Sequence, residues 1–88
     1  MGFLIVERPL VLATLESMKA DCPWLAGAYA NLRERLRMAG HRVGYMVDNN
    51  PSNRYYVEAD PISGQKRMVL AYFVLADTVT IISLKVLV

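Results

Sequence analysis

Residues 68–84 carry a single charged side chain, Asp77, in a run of aliphatic, aromatic and β-branched residues, and this stretch limits the possible folds more than any other. A membrane-spanning helix needs about 20 consecutive apolar residues. This run is interrupted by Asp77, Thr78, Thr80 and Ser83 and is rich in Val, Ile and Thr. Such composition predicts two strands joined by a tight turn near Ala76 and Asp77. Two strands this apolar need a covering layer, which the rest of the chain has to supply.

Upstream, residues 2–6 (GFLIV) form a short β-prone run, and Pro9 suits the first turn of a helix because it gives up an amide that no helix would have used. Val11, Leu15 and Met18 recur at helical spacing, leaving Glu16 and Lys19 in water, and the helix is expected to end near Ala20. Asp21 and Pro23 form a second start signal, with Asp21 able to accept orphan helix amides. Leu25, Ala28, Leu32, Leu36 and Ala39 then make the core stripe of a second helix, which Gly40 is placed to stop with a left-handed cap. So short a connection implies an antiparallel helical hairpin.

Residues 48–53 (DNNPSN) carry turn and loop chemistry, with Pro51 blocking strand pairing. Beyond them, residues 54–59, 66–75 and 78–88 read as a three-stranded meander, and residues 43–47 as a further short strand or an extended loop. The expected fold is α+β: one domain over residues 1–88, with an N-terminal strand and helical hairpin packed on a mainly antiparallel sheet of three to four strands.

An 88-residue chain buries only roughly 60 to 65% of its unfolded surface. Its hydrophobic fraction is 55%, more apolar side chain than one thin core hides easily, so a partner surface is expected. Cys22 is the only cysteine and His41 the only histidine. That inventory argues against a disulfide framework, a zinc cluster or a Cys/His nucleophile pair, and no cofactor or metal is expected. Glu7, Arg8 and Pro9 follow only a few apolar residues, which does not fit a secretory signal, so the expected location is the cytoplasm. A formal charge of +2 permits a nucleic-acid or acidic-protein partner without requiring one.

Residues 67–84 (RMVLAYFVLADTVTIISL) and the LRERLR segment of the second helix, residues 32–37, carry a resemblance to the RelE/ParE superfamily of bacterial toxins. The likeness is to an arginine-led strand with a tyrosine in it, a short acidic turn and a β-branched last strand: here Arg67, Tyr72, Asp77 and residues 79–82. The resemblance implies the toxin of a type II toxin-antitoxin pair, acting on ribosome-bound mRNA as an endoribonuclease or on DNA gyrase. It also implies a cognate antitoxin that wraps apolar surface. Lys85 is the only basic residue after Arg67, so residues 68–88 offer no counterpart of the basic and aromatic tail of the nuclease members. Gyrase inhibition acts by binding and needs no such site.

RNA cleavage needs cations to stabilise charge developing on the phosphate and a group to take the 2′-hydroxyl proton. Arg54, Arg67 and Lys85 are the expected catalytic cations, with Lys66, Tyr56, Arg33 and Arg37 as contacts to RNA or another target. Strand alternation puts Arg54, Tyr56 and Glu58 on one face and Tyr55 and Val57 on the other. The rival reading makes Arg54, Lys66 and Lys85 edge-protecting charges and the helix arginines a wet face, Glu34 pairing with Arg37. His41 reads as a favourable helix-end charge, Cys22 as a small buried residue, and Trp24 and Tyr29 as packing anchors.

The last strand has Ile81, Ser83, Lys85 and Leu87 on one face and Ile82, Leu84, Val86 and Val88 on the other, and therefore needs cover. The reading from a different class is a non-enzymatic interaction module, such as a degenerate toxin fold or a homodimer made by edge-strand pairing.

Overall fold

The computed structural model describes residues 2–88, with His41 given by its backbone alone. The N-terminal β-prone run forms β1 (Leu4–Glu7), and Pro9 opens α1 (Pro9–Ser17) at its first position. Residues 18–24 turn into α2 (Leu25–Ala39). A 3-10 turn (Gly40–Arg42) then leads to β2 (Tyr45–Val47), β3 (Asn50–Ala59), β4 (Arg67–Leu75) and β5 (Thr78–Leu87). The α+β class holds, but the sheet has five strands, in the order β1-β5-β4-β3-β2, against the expected three to four. The N-terminal strand joins it, β1 pairing parallel with β5, and the segment left open between strand and loop, residues 43–47, supplies β2, which extends the antiparallel ladder from β3.

Both helices cover one face of this sheet. Leu25, Leu32 and Leu36 of α2 and Val11 of α1 are buried with Met68, Leu70, Tyr72 and Val74 of β4 and Val79, Ile81 and Leu84 of β5. Each such aliphatic side chain contributes about 1.5–3 kcal/mol through removal from water. Cys22 is buried in this core as a small apolar residue, and Tyr29 and Trp24 pack with it.

Several boundaries differ from the sequence expectation for local reasons. Helix α1 ends at Ser17, three residues early, where the chain passes into a turn. Asp21 caps nothing: α2 begins after Trp24 with no side-chain cap. Gly40 is right-handed, at φ −47°, and its lack of a side chain serves packing instead, because a Cβ there would meet Val79 Cγ2 at 2.6 Å. The loop expected over residues 48–53 shrinks to a turn at Asp48 and Asn49, both at positive φ (52° and 58°), which suits a tight hairpin. Pro51 falls inside β3 but opposite no partner residue, because the β2–β3 register shifts between Met46 and Val47.

The last strand departs most. Tyr72 pairs with Ile81 and Ala71 with Ser83, so Ile82 bulges out and the alternation changes phase. Ile81 therefore points into the core on the same side as Leu84, correcting the strict two-face split. Among the described residues, no helix is long and apolar enough to cross a membrane.

Candidate functional site

The strand alternation of β3 places Arg54, Tyr56 and Glu58 on the helix-covered side, opposite Tyr72, Leu70 and Met68 of β4. Helix geometry decides what meets them. At about 100° per residue, Arg33 and Arg35 project roughly 80° to either side of the direction defined by Leu32 and Leu36. With those leucines buried against the sheet, the two arginines reach strands on opposite flanks.

On one flank Arg33 Nε lies 3.3 Å from Glu7 Oε1 of β1, and Tyr29 donates to Glu7 Oε2 at 2.5 Å. Burial, then the hydrogen bond and charge of Glu7, push the Tyr29 hydroxyl far above the ordinary tyrosine range, against the opposing pull of Arg33. On the other flank Arg35 Nη1 donates to Tyr56 Oη at 2.8 Å, and its guanidinium carbon stands 5.1 Å from the Tyr56 ring centre. The Tyr56 hydroxyl in turn donates to Glu58 Oε1 at 3.1 Å. A cation, a phenol and a carboxylate thus form one continuous hydrogen-bonded array along the seam between α2 and β3. Arg35 is exposed, and Tyr56 and Glu58 are half-buried.

Arg54 shares the face but has another task. Its Nε and Nη2 donate to the carbonyls of Val43 and Gly44 at 3.0 and 2.9 Å. Tyr72 donates to the Val43 carbonyl and, at 3.2 Å, to that of Gly40. Burial raises the Tyr72 hydroxyl above its ordinary range, with Arg54 and then Arg35 pulling it down. Together the two side chains staple the passage from the 3-10 turn into β2. Gly44 is required there, at φ +71° with the Tyr55 carbonyl oxygen only 2.2 Å from where a Cβ would stand.

The remaining expected site residues are dispersed. Arg67 and Lys85 lie on the opposite sheet face, opposite Leu87 and Val69 respectively, and both are exposed. The expected catalytic trio is therefore divided: Arg67 and Lys85 share one face and Arg54 occupies the other. Lys66 sits in the loop before β4, beside Asp60. That carboxylate is held below its usual range first by the Ile62 amide and then by the Ser63 hydroxyl. A cleft of about 410 Å³ separates this loop from Asp21, Pro23 and Trp24. Arg37 pairs with Glu34, as the spacing of three suggests, and the two charges hold each other ionised. The side chain of His41 lies outside the described residues. Among those residues no group of three His, Cys, Asp or Glu side chains is placed to hold a metal.

Two members of the array, Arg35 and Glu58, were not among the expected site residues. Glu58 shares the strand face of Tyr56 and was legible from alternation. Arg35 belongs to the basic run of α2 that could contact a phosphate backbone, but the spacing of four singles out Arg33 and Arg37 instead. No family model matches the chain, and no curated protein or solved structure matches it either.

Proposed function

We propose that the chain is the toxin of a bacterial type II toxin-antitoxin pair of the RelE/ParE kind, acting in the cytoplasm as an endoribonuclease on ribosome-bound mRNA. Its working group is Arg35, Tyr56 and Glu58, and a cognate antitoxin restrains it. The observation that carries the reading is the hydrogen-bonded array itself: it joins a guanidinium to two groups able to move a proton, at an accessible seam. The order of elements, a strand, two helices and a meander, supports the same reading.

In this chemistry the Glu58 carboxylate takes the 2′-hydroxyl proton, relayed through Tyr56. The 2′-oxygen bonds to phosphorus, the bond to the 5′-oxygen breaks, and the proton returns from Glu58 to that leaving oxygen. Arg35 stabilises the charge gathering on the non-bridging oxygens, and Arg54 acts indirectly by fixing the backbone that leads into β2.

Expression from a tightly repressed promoter, followed by growth and transcript mapping, tests the proposal. Growth arrest with codon-phased mRNA cleavage is expected. Arrest with intact transcripts and altered plasmid supercoiling would move the target to DNA gyrase, and unimpeded growth with folded protein would overturn toxicity in that host. The interaction-module reading draws on a different observation, the uncovered sheet face.

A further inference from the structure

Among the described residues, none covers the sheet face turned away from the helices. None of the buried residues lies on it, and it presents Val57, Leu75 and Leu87 at 39%, 63% and 51% exposure, flanked by Leu4 and Val6 of β1. Apolar faces of this extent on small proteins mark interaction surfaces. With strands about 4.8 Å apart and about 3.3 Å of rise per residue, it covers on the order of 600 Å². That area sits at the low end of what a specific, dissociable interface buries per partner.

Charge along the strands selects the occupant. Arg67 and Lys85 stand together at one end of the face, neither having a hydrogen-bond or ion-pair partner among the described residues. The face carries no carboxylate within its strands. At the opposite end, Asp77 and Asp48 occupy the turns between β4 and β5 and between β2 and β3. Asp60 lies near the basic end too, ionised and hydrogen-bonded by the Ile62 amide and the Ser63 hydroxyl, but Lys66 stands beside it, so Arg67 and Lys85 leave that end net positive. Two copies of such a face can stack about a twofold axis in two ways. An axis along the strands sets Arg67 over Arg67, which like charge disfavours. An axis across the strands sets β4 over β4 in opposite directions and brings each basic end onto the partner's acidic turns.

We propose that the chain forms a twofold homodimer by stacking these two helix-free sheet faces, with the β4 strands antiparallel across the interface. The arrangement is aligned sheet packing, with the apolar side chains interdigitated at the centre and ion pairs at both ends. It leaves the Arg35–Tyr56–Glu58 seam open on the outer side of each copy, so it stands or falls independently of the nuclease reading.

Sedimentation velocity on the full chain from about 1 to 100 µM tests it, with circular dichroism confirming that each variant is folded. A concentration-dependent dimer is expected. Arg67→Asp and Asp77→Arg should each weaken it at least about tenfold, and the double variant should regain most of the loss. A folded chain that stays monomeric at the highest concentration overturns the proposal, including one that instead takes up an acidic amphipathic peptide. A dimer whose double charge reversal is no better than the single ones overturns it as well.

Discussion

At the scale of single residues, hydroxyl groups connect the helices to the sheet. Tyr29 ties α2 to Glu7 of β1, Tyr72 ties β4 to the carbonyls of Gly40 and Val43, and Tyr56 links Arg35 to Glu58. The first two have hydroxyls raised above the ordinary range, chiefly by burial. In the unfolded chain a tyrosine loses its proton near pH 10. Above that pH the unfolded state binds fewer protons than the folded state, so stability falls as pH rises, while below it the contribution is fully present. Urea midpoints measured between about pH 8 and 11 should therefore decline, and Tyr29→Phe should flatten the decline. Identical slopes for the two proteins would remove Tyr29 as its source.

At the scale of elements, hairpin turns and one bulge determine which side chains meet. Ala76 sits in the β4–β5 turn at φ +53°, a left-handed conformation that costs an L-residue roughly 1–2 kcal/mol. Ala76→Gly should relieve most of that, less the entropy glycine loses on folding, for a net gain of about 0.5–1 kcal/mol in urea unfolding. A loss of stability would mean that the turn does not hold the strain its backbone angle implies.

Sequence legibility follows the same division. The turn at Ala76 and Asp77 was legible because Asp77 interrupts an apolar run, and the stripe of α2 was legible because Leu25, Ala28, Leu32 and Leu36 repeat at helical spacing. Strand β2 left little signal, being three exposed residues held by pairing with β3. The bulge at Ile82 left none: it arises from the register against Ala71 and Tyr72, a property of two strands that neither sequence states. Arg35 was legible as part of a basic run on α2, but its pairing with Tyr56 was not, since the flank it occupies is defined only once β3 is known to lie beside α2.

At the scale of the whole molecule, the sheet divides the chain into two surfaces with different chemistry. The helix side carries the Arg35–Tyr56–Glu58 array and the Arg54 staple, and the other side carries the apolar face with Arg67 and Lys85 at one end. Sequence reasoning joined Arg54, Arg67 and Lys85 into one catalytic group because all three lie on neighbouring strands. Strand parity separates them, since Arg54 stands opposite Tyr72 on the core side while Arg67 stands opposite Ala59 on the open side.

On the proposed reading, the helix-side array, and not the open-face cations, carries the activity. The most direct measurement compares the inducer level needed to arrest growth, with transcript cleavage scored in parallel, for Tyr56→Phe and Arg67→Ala. Loss of a positioned proton-transfer group costs typically about 10²–10⁴-fold in rate, so Tyr56→Phe should grow at inducer levels that stop the parent and leave transcripts intact, while Arg67→Ala should still arrest. Arrest retained by Tyr56→Phe and lost by Arg67→Ala, with both proteins folded, would contradict the assignment and place the activity on the opposite face.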